Sequence, residues 1–186
     1  MHRTGFRYEE SHRVPVSDSI ANESPLSTSC DRSDGRLYGT LMRTPGHDNA
    51  LILGLMTSEG DLRSEDVLPE IQCNEGNVHV FWNGTPSHRS LDSTSSCGMC
   101  GRDEIQINPI EGCGAMPDVL VDNTVIHSIA RMEPEKESLY GATGSSHSAT
   151  SYTLDGKMIQ TMEDVGRHNA KDKLVGTHRI DSDWPM

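Results

Sequence analysis

A fold mixing helices and strands, α/β in content and α+β in arrangement, is what the 186-residue sequence predicts, and three observations predict it. Val78-His79-Val80-Phe81-Trp82 is a β-branched and aromatic run closed by Asn83-Gly84, which reads as a strand ending in a turn. Ser148 to Leu154 and Lys157 to Thr161 flank Asp155-Gly156, the pattern of a hairpin with a two-residue primed turn. Between Val119 and Arg131 the apolar residues fall at 121, 125, 126 and 129, which is helical spacing.

The remaining elements follow in chain order. Residues 1–36 are polar, rich in Ser, Asp and Arg, and read as a mobile arm or a peripheral hairpin. Thr44 is a candidate N-cap with Pro45 at the first helical position, and Gly60 stands where a helix-ending glycine belongs, so the first helix is predicted over 45–59. The stretch from Glu163 to Val175 reads as the last helix, with Gly166, Ala170 and Leu174 forming a small-residue strip for close packing. A soft boundary near 115 divides a β-rich N-terminal part, 1–115, from a C-terminal α/β part, 116–186. No internal repeat is evident.

Composition limits the function classes. Sixteen Lys and Arg against 28 Asp and Glu give a net charge of −12, the wrong sign for nonspecific binding to nucleic acid or to an anionic membrane. A hydrophobic content of 33% with 4% aromatics implies a thin core. No apolar run approaches the roughly 18 residues of a spanning helix, and the N-terminus, MHRTGFRYEESHR, does not resemble a signal peptide. A cytoplasmic location without nucleic-acid or membrane partners is expected. Five cysteines leave at least one thiol unpaired, and no dense disulfide framework is visible.

Three segments could carry chemistry. In Ser95-Ser96-Cys97-Gly98-Met99-Cys100-Gly101 two cysteines three apart lie between glycines, on a loop expected to be exposed and mobile. One sulfur can lower the pKa of the other, so a redox pair or a sulfur-carrying thiolate fits; a zinc clip would recruit Cys113 and a further ligand. Thr143-Gly144-Ser145-Ser146-His147-Ser148-Ala149 is small enough for backbone N–H groups to converge on an anion, or is simply a turn before a strand. In Glu163-Asp164-Val165-Gly166-Arg167-His168-Asn169-Ala170-Lys171-Asp172-Lys173, Arg167, His168 and Lys171 form a cationic ridge suited to an anionic ligand. Equally, that ridge could be a solvated face with an internal Asp-Lys pair.

The segments SSCGMCG, TGSSHSA and EDVGRHNAKDK, in this order, closely resemble the FdhD family of sulfur carrier proteins for formate dehydrogenase maturation. RTPGHDNALILGLMTSEG and Glu23-Ser24-Pro25-Leu26 extend the likeness over about 23–176. The resemblance implies that a cysteine desulfurase loads sulfur as a persulfide on Cys97, assisted by Cys100. The carrier then passes it to the molybdenum cofactor, bis-molybdopterin guanine dinucleotide, before insertion into formate dehydrogenase. It further implies that Thr143, Gly144, Ser145, His147, Arg167, His168 and Lys171 hold that cofactor, for which a guanine nucleotide such as GDP is a mimic. Partners implied are the desulfurase, formate dehydrogenase and a second copy of the chain in a homodimer. The resemblance implies a cytidine-deaminase-like C-terminal part, although His147-Ser148-Ala149 lacks the catalytic Glu of deaminases and no Pro-Cys-x-x-Cys follows. The family continues beyond the Arg-His-Asn helix, so the C-terminal part is expected to be truncated. A zinc-stabilised module and a scaffold without sulfur transfer are the alternative functions.

Overall fold

The structure is a computed structural model, and it describes residues 6–9, 12–15, 24–30, 37–63, 65–74, 77–82, 84, 91–92, 118–132 and 138–181. The cysteine loop with Cys97 and Cys100, and Cys113, lie outside the described residues.

In chain order the elements are β1 (Phe6–Glu9), β2 (His12–Pro15), β3 (Ser24–Cys30), β4 (Leu37–Arg43), α1 (Asp48–Ser58), β5 (Glu70–Asn74), β6 (Asn77–Phe81) and β7 (Leu91–Asp92). They continue with α2 (Asn123–Ala130), α3 (Leu139–Thr143), β8 (His147–Tyr152), β9 (Met158–Asp164) and α4 (Arg167–Ile180). A five-stranded mixed sheet runs β5-β6-β3-β4-β7, and β1-β2 and β8-β9 are separate antiparallel pairs. The β3–β4 and β5–β6 pairs are antiparallel, while β3–β6 and β4–β7 are parallel. The predicted mixture of helix and strand is therefore present, arranged as α+β. No helix among the described residues is long and apolar enough to cross a membrane.

The core forms where α1 meets the five-stranded sheet. Seven consecutive residues of α1, Ala50 to Met56, are buried, as expected of a helix that is apolar all round. Leu51, Ile52 and Met56 pack with Leu41 of β4, Val78 and Val80 of β6 and the nearby Leu62. The opposite side of α1 meets α4 at a crossing shaped by glycine. A Cβ added to Gly54 would lie 1.8 Å from the Asp172 carbonyl oxygen, and one added to Gly176 would lie 1.8 Å from that of Ala50. Only glycine lets the two backbones approach this closely. The same pairing joins residues on either side of position 115.

Four local expectations are corrected. Residues 24–30, read as part of a mobile arm or a peripheral hairpin, form the middle strand of the sheet, between β6 and β4. Their Ser and Thr content hid this, because a strand's place is decided by its pairing neighbours more than by its own propensity. The first helix starts at Asp48 instead of Pro45, its N-cap is His47 at φ 55°, and no side chain caps it. Thr44 is unavailable as a cap because its Oγ1 accepts from the Val165 N–H at 3.0 Å. The hairpin is joined by a five-residue loop rather than a primed two-residue turn. Thr153 N–H donates to Lys157 O at 2.8 Å, and among its residues only Gly156 has positive φ, whereas a type I′ turn needs two. The last helix begins at Arg167, since Glu163 and Asp164 are still paired in β9 with Ser148 and His147.

Other expectations hold closely. Gly60 follows α1 at φ 80°, in the left-handed conformation that ends helices. The 119–131 periodicity becomes α2, whose N-cap Asp122 accepts from Thr124 N–H at 2.8 Å.

Candidate functional site

The site is built at one end of the β8–β9 hairpin. The register sets His147 opposite Asp164, so the 143–146 segment entering β8 and the Val165-Gly166 turn leaving β9 lie at the same end. The turn delivers the chain into α4, whose N-cap is Gly166 with no side-chain capping bond. The first N–H groups of a helix have no intrahelical acceptor, and without a capping side chain they remain directed at whatever lies before the helix.

A buried polar network holds this junction. Asp164, fully buried, accepts from Gly166 N–H at 2.9 Å and Asn169 Nδ2 at 3.0 Å through Oδ1. Through Oδ2 it accepts from Thr44 N–H at 3.1 Å and from Lys173 Nζ at 2.7 Å. Lys173 Nζ also donates to Thr44 O at 2.7 Å, and Asn169 Nδ2 to Met42 O at 2.8 Å. With the Val165 bond to Thr44 Oγ1, these contacts tie the start of α4 to the end of β4 across more than 100 residues of sequence. Arg43, buried beside this point, pairs with Asp48 through Nε at 3.0 Å and Nη2 at 2.8 Å. Pro45, Gly46 and His47 are exposed between these two anchors.

The predicted ridge separates into three environments. Arg167 and Lys171 are exposed, while His168 is half-buried and its Nδ1 is a buried atom without a hydrogen-bond partner. Ser146, 6% exposed, likewise holds its Oγ buried and unpartnered. Ser146 adjoins His147, whose partner Asp164 leads into α4. Two orphaned polar atoms, one on the segment entering β8 and one in the first turn of the uncapped α4, suit an anion. The Ser146 hydroxyl can donate to it, as can His168 when Nδ1 carries a proton. Buried polar groups are otherwise almost always paired.

The predicted cradle at 143–149 is only partly free. Thr143 Oγ1 donates to Leu139 O at 2.7 Å and accepts from Ser145 N–H at 3.2 Å. Gly144, at φ 63°, closes α3, and 147–149 belong to β8. Ser145 and His147 are exposed. Glu163 positions the segment from below: its Oε2 accepts from Leu139 N–H at 2.7 Å and its Oε1 from Tyr140 N–H at 2.8 Å. The structure thus brings His147, Arg167 and His168 to one end of the hairpin, with Thr143 and Gly144 shaping the loop that enters it. Lys171 lies one turn along α4.

Sequence reasoning missed Thr44, Asp164, Asn169 and Lys173 as working residues. The available signal was that Asn169 and Lys173 are four apart and adjoin the small-residue strip, on the face turned inward. One further buried carboxyl stands nearby. Asp172 accepts from Ser58 Oγ at 2.8 Å, and burial pushes its pKa up to about 6 against the opposing effects of that bond and of Lys171, with Glu59 adding to the rise.

Cys73 is the cysteine whose side chain the structure describes, and it is a poor nucleophile. Its Sγ donates to Asn49 Oδ1 at 2.8 Å. Partial burial and then the Asp48 carboxylate raise its pKa, with Arg43 opposing, so the thiolate is disfavoured.

Comparison with known proteins gives a consistent picture. The model of the FdhD/NarQ family matches residues 21–183. Proteins named sulfur carrier protein FdhD align over most of the chain. That of Sulfurisphaera tokodaii is 32% identical, covering 92% of this chain and 67% of its own. That of Saccharolobus solfataricus is 33% identical, covering 96% and 69%. That of Thermoplasma volcanium is 34% identical, covering 97% and 70%. The chain therefore spans about two thirds of the length of these relatives. A crystal structure from Desulfotalea psychrophila, described as a candidate formate dehydrogenase accessory protein, superposes with a TM-score of 0.61 at 21% identity. It covers 97% of this chain and 69% of its own, which shows a shared fold.

Proposed function

The chain belongs to the FdhD/NarQ family, and from that premise we propose that it is a sulfur carrier. In this reading it accepts sulfur from a cysteine desulfurase on Cys97 and delivers it to bis-molybdopterin guanine dinucleotide for formate dehydrogenase maturation. Its C-terminal part is cytidine-deaminase-like, and Thr143, Gly144, Ser145, His147, Arg167, His168 and Lys171 serve the cofactor. The names of the relatives support the role. The observation that carries the binding half is the uncapped start of α4, where Arg167 is exposed and Ser146 Oγ and His168 Nδ1 are buried without partners. Those donors match the pyrophosphate of a dinucleotide better than any apolar ligand.

The sulfur chemistry balances on the two loop cysteines. In loading, the Cys97 thiolate attacks the outer sulfur of the donor's persulfide; one S–S bond breaks, one forms, and the donor leaves as a thiolate. Delivery as sulfide requires two electrons. Cys100 supplies them by attacking the inner sulfur of the Cys97 persulfide, closing a Cys97–Cys100 disulfide as the outer sulfur departs, and an external thiol then reduces the pair. The raised pKa of Cys73 fits a carrier located elsewhere in the chain.

The test is mass spectrometry after incubation with a desulfurase and cysteine. One added sulfur, about 32 Da, is expected on Cys97 and absent in Cys97→Ser, as thiol–persulfide exchange requires. Sulfur found only on Cys30, Cys73 or Cys113 would falsify the carrier assignment. Release of stoichiometric zinc from Cys97→Ser would favour a metal-stabilised module.

A further inference from the structure

The junction proposed to take an anion also contains a charge that opposes one. Asp164 lies two residues before the N-cap of α4 and accepts from Gly166 N–H at 2.9 Å. Its carboxylate thus stands just before the positive end of the helix dipole that an incoming anion would use. Standing alone, a unit negative charge so close would weaken anion binding by roughly ten- to a hundredfold at the effective dielectric of a partly buried site.

Lys173 answers that charge. Its Nζ is 2.7 Å from Asp164 Oδ2, and the two side chains are 2% and 0% exposed. Hydrogen bonding alone does not demand a lysine here, because Asp164 already accepts from three neutral donors, Gly166 N–H, Asn169 Nδ2 and Thr44 N–H. What Lys173 adds to those three is a positive charge. Of the other acidic groups described nearby, Glu163 is committed to the N–H groups of Leu139 and Tyr140 and Asp48 to Arg43. The unpartnered Ser146 Oγ, in a residue 6% exposed and next to His147 opposite Asp164, is an independent unsatisfied polar group at the same end of the hairpin.

We propose that Lys173 is a positioning residue that neutralises Asp164, so that the start of α4 with Arg167 presents net positive character to a pyrophosphate-bearing ligand. The inference rests on the anion reading of that site given above.

Calorimetric titration with inorganic pyrophosphate, at low and moderate salt, tests it on four proteins. The wild type is compared with Lys173→Met, Asp164→Asn and the double variant, each shown to be folded at the titration temperature by circular dichroism. Lys173→Met is expected to lose roughly ten- to a hundredfold in affinity, with the loss shrinking as salt rises. The double variant, neutral at both positions, should return to within about threefold of the wild type, since the compensated charge is gone with its compensator. Asp164→Asn, which leaves the lysine charge unopposed, should bind more tightly than the wild type. A purely structural role predicts a different pattern, with Asp164→Asn weaker as well as Lys173→Met and the double weakest, and that result overturns the proposal. Should Lys173→Met not fold, a double variant that binds tenfold or more weakly than the wild type, or an Asp164→Asn variant weaker than the wild type, overturns it equally. A wild type that takes up no pyrophosphate sinks the anion reading and this inference together. Wild-type binding with unchanged affinity in Lys173→Met sinks this inference alone.

Discussion

α1 and α4 pack against each other yet are buried for opposite reasons. α1 hides a run of apolar residues from Ala50 to Met56, whose stability comes from removing hydrocarbon from water and is indifferent to direction. α4 hides Asn169, Asp172, Lys173, His178 and Arg179 beside Ala170 and Leu174. Each of those polar groups must be matched to a particular partner: Asp164 and Thr44 for Lys173, Ser58 for Asp172, Ser151 Oγ for His178 at 2.9 Å, and Arg63 O for Arg179 Nη1 at 2.7 Å. An apolar face tolerates exchange among side chains of similar volume, whereas a network fails when one member is lost. The difference explains why the candidate site sits at the start of α4. Directed bonds fix the position of a helix end in a way that apolar contact does not.

The sharpest break between the two helices is a pair of volume-matched changes to methionine. Lys173→Met keeps the side-chain bulk but leaves Asp164 buried without its cation, and should cost about 3–5 kcal/mol in urea unfolding. Leu51→Met in α1, equally well buried, is the counterpart and comes last in this series.

Next in size is Gly176→Ala. Its new methyl would meet the Ala50 carbonyl at 1.8 Å, and because the obstacle is backbone the helices must separate. A loss of about 3 kcal/mol, the upper end of ordinary overpacking, is expected in thermal unfolding. A neutral result would show that the α1–α4 crossing is slack.

The third effect is a pH dependence confined to the polar helix. Burial raises the Asp172 pKa from its ordinary aspartate value to about 6 in the folded protein. The native state therefore binds this proton more tightly than the unfolded chain. Its contribution is greatest below about pH 4 and is lost as the pH rises through about 6, on the order of 3 kcal/mol in all. Asp172→Asn should remove that slope and make the protein more stable than the wild type at pH 8, with the Ser58 bond retained. Unfolding curves from pH 4 to 8 decide it, and an unchanged slope in the variant would assign the dependence to other groups.

The smallest expected effect is that of Leu51→Met, under about 1.5 kcal/mol, since chain volume and apolar character are conserved. If it proved as costly as Lys173→Met, the contrast between the two helices would collapse.

Elements governed by neighbours in sequence were legible in advance. The β8–β9 hairpin announced itself through Asp155-Gly156, α2 through its apolar period, and the end of α1 through Gly60, because a turn or a helix end is decided within a few residues. The segments pointing to the FdhD/NarQ family were legible too, since they are contiguous strings. Arg167 and His168 could be picked out from one such string, although the string did not tell which ridge residues stand exposed and which half-buried. What the tertiary structure alone decided depends on residues far apart in the chain. β3 is central because β6 and β4 flank it, not because Ser24–Cys30 favours a strand. Thr44 leaves its helix to serve Val165, 121 residues away. Along the chain Asp164 and Lys173 read as charges of one helix, at most an Asp-Lys pair on a solvated face. The structure sets Asp164 at the end of β9 and Lys173 in α4. Folding carries both out of water with Thr44 and Asn169 around them, and in that low-dielectric setting their pairing becomes worth far more than on a solvated face. Local propensity has no means of registering such a pairing.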